Sequence, residues 1–200
     1  GHTPVDCPPA GKGLYQQADN PQACVLRQRG KHLGQLGDGR ATGVRRAPVA
    51  VSTGGAVPER FLEIDSSEVP TCALAADGTV WCWGSDTLHH DDDPIVASPT
   101  PVDMSHLPEG LTFAHLAVAG DAACAIASDG TVWCWGNNSY GQVGDGTSGG
   151  QKDSPVQATG ITTATAVAAG TYHSCALLAD HTVRCWGRGT SGEMGNGLNT

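Results

Sequence analysis

One short segment recurs three times along the chain, and it limits the possible folds more than any other feature. Residues 124–136 read CAIASDGTVWCWG, and near-copies lie at 72–84 and 175–187, about fifty residues apart. A segment repeated at this period is the sequence signature of a repeat architecture, in which each copy forms one structural unit. The sequence therefore predicts at least three similar units built around this segment.

Each copy has the pattern of a β-hairpin. Two short runs rich in Val, Trp and Cys flank Asp-Gly or its variant Asp-His, and Asp-Gly is a strong hairpin turn signal. A three-residue turn at 76–78, with Gly78 in the left-handed conformation, would place Cys72 directly opposite Cys82. A two-residue turn would put the two cysteines on opposite faces. The third copy has His181 where glycine fits best, so we expect its turn to be the most strained.

The eight cysteines divide into four candidate disulfide pairs. Directly opposed strand residues lie about 4.5–5.5 Å apart at Cα, which is within disulfide range. Zinc sites usually contain Cys-x-x-Cys steps, which the hairpins lack, so disulfides are favoured over a metal or free buried thiols. Disulfides indicate an extracytoplasmic location, whether secreted, periplasmic or at the cell surface. The predicted pairs are Cys7–Cys24, Cys72–Cys82, Cys124–Cys134 and Cys175–Cys185.

Length and charge exclude several classes of protein. The 200 residues can bury a core as one or two domains, and no apolar run is long enough for a membrane-spanning helix. The formal charge of −9 repels nucleic acid and anionic membranes, so neither is expected as a partner. The basic residues between Arg27 and Arg46 are interpreted as a solvated face. Because the sequence lacks an initiator Met and a signal peptide, we expect a processed chain or a fragment.

Further motifs recur in phase with the hairpins. The glycine-rich segment GQLGDG at 34–39 has similar copies at 141–146 and 192–197, and a Pro-Val pair followed by an Ala/Val-rich run also recurs. Each unit thus contains several separate short strands. Four-stranded units of about fifty residues, packed side by side around an axis, are the blades of a β-propeller. A linear solenoid is the alternative, but several strands per unit favour an all-β propeller.

The order of these motifs resembles the repeat of the regulator of chromosome condensation family. The matching segments are GTYHSCAL at 170–177, TVRCWG at 182–187 and GQVGDG at 141–146. The resemblance covers about residues 25–200, with 1–24 as an N-terminal segment or degenerate blade. The family fold is typically a seven-bladed propeller. The resemblance therefore implies that this chain is part of such a propeller or a short form of about four blades.

The second unit has a His/Asp-rich segment where the glycine-rich loop is expected. Imidazole and carboxylate groups can bind a divalent cation. The alternative is a solvated acidic loop that ends at Pro94, since adjacent ligands rarely converge on one ion without partners elsewhere. We expect neither tight metal binding nor a cofactor. The candidate metal ligands are His89, His90, Asp91, Asp92 and Asp93.

Other conspicuous residues favour structural roles. The glycine-rich loops lack the Lys-[Ser/Thr] of a phosphate-binding loop, so they are predicted to be structural turns. His173 matches the repeat histidine of the family and is interpreted as a packed residue. Ser174 cannot form a catalytic dyad with it, because neighbouring strand residues point to opposite faces. The tryptophans are predicted to pack between blades, although a subset could anchor a partner: Trp81, Trp83, Trp133, Trp135 and Trp186.

The function predicted from these features is that of a non-enzymatic scaffold, secreted or at the cell surface, that binds another protein through its rim loops. The alternatives are a propeller-type enzyme inhibitor, a self-assembling structural unit and a metal-dependent hydrolase that uses the loop at 88–94. The apolar faces of the end blades should be covered by further blades of a longer chain or by a second copy in a homo-oligomer. Val183 and Trp186 are predicted to lie on such a covered face.

Overall fold

The protein is built from antiparallel β-sheets. The computed structural model describes residues 14–17, 20–26, 34–40, 43–52, 58, 60–68, 70–84 and 98–197. No helix in this part of the chain is long and apolar enough to cross a membrane. The strands are β1 (Leu14–Gln17), β2 (Asn20–Leu26), β3 (Phe61–Ser66), β4 (Thr71–Ala75), β5 (Val80–Trp83), β6 (Thr100–Pro101), β7 (Phe113–Ala119), β8 (Ala122–Ala127), β9 (Val132–Asn137), β10 (Gln151–Gln157), β11 (Ala164–Ala169), β12 (His173–Leu178) and β13 (Val183–Gly187).

Three sheets correspond to the three sequence repeats and are called the first, second and third blade. The first blade has the strand order β3-β4-β5-β6, the second β7-β8-β9-β10 and the third β11-β12-β13. Strands β1 and β2 form a separate two-stranded sheet. The first strand of each blade carries a bulge at the same place, for example between Phe113 and His115. The all-β class and the four-stranded repeat unit are therefore as predicted.

The register of the hairpins agrees with the predicted three-residue turn. In the first blade the Ala75 N–H donates to the Thr79 carbonyl oxygen at 2.8 Å, and Gly78 has a φ of 84°. Cys72 therefore lies directly opposite Cys82, with a Cα–Cα distance of 4.1 Å. The other two hairpins oppose Cys124 to Cys134 and Cys175 to Cys185, both with Cα–Cα distances of 4.0 Å.

An aspartate closes each hairpin turn. In the second blade Asp129 Oδ1 accepts hydrogen bonds from the hydroxyl and the N–H of Thr131, at 2.6 and 2.9 Å. These hydrogen bonds lower the pKa of Asp129. The third turn has the same arrangement around Asp180, but His181 takes the left-handed conformation with a φ of 66°. The third turn therefore places a non-glycine residue in a conformation that costs backbone strain.

Apolar clusters between the blades form the core. Each hairpin has a forward face, defined as the face that carries its two cysteines and is directed toward the next blade along the chain. The forward face of the first blade, with Leu74 and Val80, packs against Phe113 and Trp135 of the second blade. The forward face of the second blade packs in the same way against the third. Small residues on the opposite, backward face allow this close approach, as at Ala125.

Tryptophan side chains of the first and third blades form hydrogen bonds with the glycine-rich loops. The indole N–H of Trp83 donates to the Gln35 carbonyl oxygen, and that of Trp186 donates to the Gln142 carbonyl oxygen, both at 2.9 Å. A Cβ atom at Gly144 would lie 2.6 Å from Trp186 Nε1, so only glycine permits this approach. Trp186 thus faces the second blade, and its predicted place on a covered face at the end of the stack is wrong.

Candidate protein-binding surface

Several residues singled out in the sequence lie outside the described part of the chain. These are the His/Asp-rich segment 89–93, Cys7 and the side chain of Cys24. Their predicted roles therefore stay predictions. Among the residues that are described, no group of three or more His, Cys, Asp or Glu side chains is arranged to hold a metal ion.

His173 and Ser174 have separate environments. The His173 ring packs against Gly170, where a Cβ atom would overlap it, and the Gly170 N–H donates to the His173 carbonyl oxygen at 2.7 Å. Ser174 is buried, and its hydroxyl donates to the Gln142 carbonyl oxygen at 3.0 Å. The Ser174 hydroxyl therefore bonds to the glycine-rich loop of the second blade rather than to His173.

Two exposed tyrosines and an arginine form a compact group at one end of the blades, here called the rim cluster. The rings of Tyr140 and Tyr172 meet edge to face with centroids 5.1 Å apart. The guanidinium carbon of Arg188 lies 5.5 Å from the first ring centroid and 5.4 Å from the second. Tyr140 is 49% exposed and Tyr172 43% exposed, so both rings present apolar area to solvent.

The members of the rim cluster come from three different segments of the second and third blades. Tyr172 lies in the turn between β11 and β12, Tyr140 in the loop after β9, and Arg188 directly after β13. The Arg188 N–H donates to the Tyr172 carbonyl oxygen at 2.8 Å, which joins two of these segments. The Arg188 Nε donates to the Thr190 hydroxyl at 2.8 Å. The orientation of the guanidinium group is thus fixed by the hydrogen bond from Nε as well as by the rings.

The loop that carries Tyr140 is held by its own polar side chains. Gln142 Oε1 accepts a hydrogen bond from the Tyr140 N–H at 2.9 Å. The buried Asn138 accepts from the Val143 N–H and donates to Thr147. This network fixes the backbone of the loop without a strand ladder.

An ion pair closes the same loop. Lys152 Nζ lies 2.8 Å from Asp145 Oδ2. Partial burial acts to raise the pKa of Asp145, but hydrogen bonds from Lys152 and Thr147 outweigh it and lower the pKa to about 2. Asp145 therefore remains ionised under all but strongly acidic conditions, and the loop keeps its ion pair.

A shallow cleft of about 170 Å³ adjoins Tyr172. Glu68, from the first blade, and Asp121, from the second, are among the residues that line it. Pockets for whole small-molecule ligands are typically about 300–1,000 Å³, so this cleft fits one side chain of a partner better than a substrate.

Two carboxylates on β3 link the first blade to the second. Glu63 Oε2 accepts a hydrogen bond from the Leu116 N–H at 3.1 Å, and Asp65 Oδ2 accepts one from the Val118 N–H at 2.8 Å. Burial raises the pKa of both carboxyls, and the backbone hydrogen bonds oppose this effect. These carboxylates act as acceptors for β7, and their contacts are structural.

Sequence reasoning did not find the rim cluster. Tyr140 and Tyr172 lie in loop positions that differ among the repeats, and nothing in the local pattern brings the two rings together. Tyr172 lies at the position in the third repeat that Asp121 occupies in the second. This difference in residue type was the one feature of the sequence that pointed to the rim cluster. The contact between the Tyr140 and Tyr172 rings depends on the packing of the third blade against the second.

The stacked sheets and the exposed loops of the rim cluster define a repeat protein of the β-propeller class. Two models described as regulator of chromosome condensation (RCC1) repeat match the chain, one at residues 129–177 and the other at 115–142 and 164–193. The chain therefore carries RCC1 repeats over these residues.

Two curated relatives are similar to this chain in sequence. The Ultraviolet-B receptor UVR8 of Arabidopsis thaliana is 30% identical over 181 residues, which cover 84% of this chain and 38% of the receptor. The human E3 ubiquitin-protein ligase HERC2 is 35% identical over 108 residues, which cover 52% of this chain and 2% of the ligase. The chain thus spans well under half the length of either relative.

Solved structures show the same fold. Yeast RCC1 (Prp20), in its complex with Kap60, superposes with a TM-score of 0.68 at 18% identity and covers 96% of this chain and 47% of its own. Human WBSCR16 superposes with a TM-score of 0.63 at 21% identity and covers 82% of this chain and 42% of its own. The predicted β-propeller is confirmed.

Proposed function

We propose that the chain is a non-enzymatic scaffold that binds another protein through the rim cluster. The observation that carries this proposal is the pair of exposed tyrosine rings, held edge to face with Arg188 beside both. Tyr and Arg are enriched among residues that dominate binding energy at interfaces. Because the loops beneath them are fixed by hydrogen bonds, little conformational entropy is lost on binding.

The chemistry of the partner follows from the rim cluster and the cleft beside it. The tyrosine rings offer apolar area, with Arg188 already beside both rings, while the acidic residues Glu68 and Asp121 line the cleft. The formal charge of −9 favours approach of a basic surface over an acidic one. The proposed partner is therefore a protein that inserts a lysine or arginine next to Tyr172.

Relatives support protein binding as a use of this fold. A solved structure shows Kap60 bound to yeast RCC1 (Prp20), and Prp20p from Saccharomyces cerevisiae has been described with its binding to Gsp1p and histones. We carry over to this chain only the use of the propeller as a protein-binding scaffold.

The proposed location is extracytoplasmic, secreted or at the cell surface. Three hairpins each bring two cysteines opposite each other, at the Cα separations given above. Repeated pairs of this kind are typical of proteins that fold in oxidising compartments.

Affinity capture with the full chain tests the proposal. The immobilised chain and the variants Tyr172→Ala, Arg188→Ala and Leu62→Ala are exposed to the same extracellular protein mixture, and Kd is measured for each captured protein. Leu62 is the matched control, because it is an exposed apolar side chain of the first blade. We expect the two rim substitutions to weaken binding about tenfold or more, equivalent to about 1.4 kcal/mol, and the control to have no effect.

Circular dichroism melting shows whether each variant keeps the fold. A partner that binds wild type and folded Tyr172→Ala equally well would contradict the proposal, as would equal losses for the control and the rim variants.

A further inference from the structure

Arg188 differs from the other half-buried cationic side chains in the described part of the chain. The Lys and Arg residues of this kind are Arg45, Lys152 and Arg188. Arg45 Nε lies 2.6 Å from Asp38 Oδ2, and Lys152 Nζ lies 2.8 Å from Asp145 Oδ2. Among the same described residues, Arg188 has no carboxylate within ion-pairing distance. Charges that lose contact with water are usually paired, so Arg188 has the features of a binding group for an anion.

The contacts of Arg188 leave its terminal amino groups available. Its Nε donates to the Thr190 hydroxyl at 2.8 Å, and the described residues offer no hydrogen-bond acceptor to Nη1 or Nη2. The ring faces of Tyr140 and Tyr172 attract the charge of the guanidinium, but they carry no oxygen or nitrogen acceptor for its N–H groups. Both Nη groups can therefore donate to a ligand while the rings stay in place.

Glu193 interacts with the charge of Arg188 but does not accept its hydrogen bonds. Glu193 Oε2 accepts a hydrogen bond from the Ser191 N–H at 2.7 Å. The pKa of Glu193 is lowered first by hydrogen bonds from the backbone N–H groups of Glu193 itself and of Ser191, and less by the charge of Arg188. Glu193 therefore makes the surroundings of Arg188 less positive and leaves Nη1 and Nη2 to a ligand.

We propose that Arg188 binds the carboxylate of an aspartate or glutamate in the protein partner. This inference rests on the proposed function, because it names a group that the partner brings to the rim cluster. A guanidinium presents its N–H donors in a rigid fork that matches the two oxygens of a carboxylate. Because Nε donates to Thr190, the carboxylate approaches end-on and accepts from Nη1 and Nη2.

The charges around Arg188 favour a carboxylate over a phosphate group. Glu193 acts on Arg188 through its charge, and Glu68 and Asp121 line the adjoining cleft. A phosphate monoester carries a charge of about −1.5 to −2 at pH 7, so these acidic residues repel it more strongly than a singly charged carboxylate. The partner thus brings two opposite charges, a carboxylate against Arg188 and the proposed lysine or arginine next to Tyr172.

Arg188 then determines which basic surfaces can bind. A surface with lysine and arginine alone places a like charge against Arg188, and like charges brought together at an interface are unfavourable. A surface that also carries an aspartate or glutamate avoids this repulsion and gains charge-assisted hydrogen bonds. The rim cluster is thus selective for a surface with both charges.

Peptide display on the full chain tests this inference. A random peptide library displayed on phage is selected on wild type, and Kd of the bound peptides is measured for wild type and variants. We expect peptides that contain Asp or Glu to bind Arg188→Gln about tenfold or more weakly than wild type. The same peptides with the acidic residue replaced by its amide should bind the two proteins within about twofold of each other. Arg188→Lys, which keeps the charge without the fork, should not restore the affinity of wild type.

The matched control is Arg184→Gln, because Arg184 is an exposed arginine on β13 of the same blade. It should leave Kd unchanged, and circular dichroism melting shows that each variant is folded. Selected peptides without Asp or Glu, or equal losses for acidic and amide peptides, would overturn the inference. Tighter binding of a phosphoserine version would also overturn it, since Arg188 would then bind phosphate.

Failure of this inference can be told apart from failure of the proposed function. Peptides whose binding depends on Tyr172 but not on Arg188 would reject the carboxylate contact and leave the rim cluster as a binding surface. A library from which wild type selects no peptide that depends on Tyr172 would count against both.

Discussion

Partly buried polar side chains form hydrogen bonds between one blade and the next. Asp65 is the clearest case, because its two carboxylate oxygens accept from the Val118 N–H of the neighbouring blade and from the Ser66 N–H. Burial of this charge is unfavourable and raises its pKa, while the two hydrogen bonds act in the opposite direction. The side chain therefore stabilises the interface as a hydrogen-bond acceptor more than as a charge.

Two substitutions at Asp65 separate these effects. Asp65→Ala leaves the Val118 N–H without its acceptor and should lower the free energy of unfolding by about 1–3 kcal/mol. Asp65→Asn keeps an oxygen for Val118 and should cost less than about 1 kcal/mol. Urea denaturation at pH 7 measures both values, and equal losses would show that the charge itself is needed.

The raised pKa of Asp65 determines the direction in which stability changes with pH. Because the pKa of folded Asp65 is raised above its ordinary value of 3.8, the native state binds the proton more tightly than the unfolded state does. The stability of wild type relative to Asp65→Asn should therefore fall as pH rises from 3.8 through the raised pKa, and then stay constant. A difference that grows in favour of wild type over that range would contradict this assignment.

Comparison of Trp83 with Trp135 measures how much the hydrogen bond from an indole to a glycine-rich loop contributes to stability. Both are buried at equivalent positions, but the Trp83 indole N–H donates to the Gln35 carbonyl, whereas no residue in the described part of the chain accepts a hydrogen bond from the Trp135 indole. Trp83→Phe should cost about 1 kcal/mol more unfolding free energy than Trp135→Phe, because the lost volume is the same and only Trp83 loses a hydrogen bond. Equal losses in denaturant titrations would mean that the loop contact adds no stability.

Among the structural elements, the third hairpin has the least favourable turn. His181 has a φ of 66°, whereas Gly78 and Gly130 occupy this position in the other two hairpins. Positive φ costs a non-glycine residue about 1–2 kcal/mol, and glycine loses part of that advantage through its unfolded-state entropy. His181→Gly should therefore raise the free energy of unfolding by up to about 1 kcal/mol.

Gly130→Ala is the reverse substitution, made at the equivalent position in the turn of the second hairpin. It should destabilise the protein, since the added Cβ would lie 2.9 Å from the Thr162 carbonyl oxygen. If thermal unfolding shows no gain for His181→Gly and no loss for Gly130→Ala, turn strain is not a determinant of stability here.

The hairpins are also predicted to be closed by disulfides. Peptide mapping without reductant should recover the Cys72–Cys82, Cys124–Cys134 and Cys175–Cys185 links. Each link closes a short loop, so replacing one pair by alanine should cost no more than about 2–3 kcal/mol. Free thiols, or links between different hairpins, would contradict both the pairing and the proposed extracytoplasmic location.

The hairpins were predictable from sequence because their determinants are local. The Asp-Gly turn sets the register, and the register places Cys72 opposite Cys82 without reference to the rest of the chain. The rim cluster was not predictable in this way, since Tyr140 and Tyr172 meet only when two blades pack. The error at Trp186 has a different cause, because alternation along β13 directs Val183 and Trp186 to opposite faces of the sheet, and the two cannot share one covered face.

At the scale of the whole molecule, the three blades form a stack in which the first blade packs against the second and the second against the third. The second blade is packed on both faces, by the first blade and by the third. The third blade is packed by the second blade on its backward face and leaves Val183 and Leu177 exposed on the other. Stability in such an array is approximately the sum of the stabilities of its repeats and of the interfaces between them.

Native-state hydrogen exchange should therefore show graded stability along this stack. Amides in β8 and β9 should exchange only through global unfolding, while those in β12 and β13 should also exchange through partial opening of the third blade. We expect protection factors about tenfold or more higher in the second blade, equivalent to about 1.4 kcal/mol. Val132→Asp, which places a charge in the interface between the second and third blades, should lower protection in both. Equal protection in wild type would show that the third blade unfolds only with the rest of the molecule, despite its exposed face.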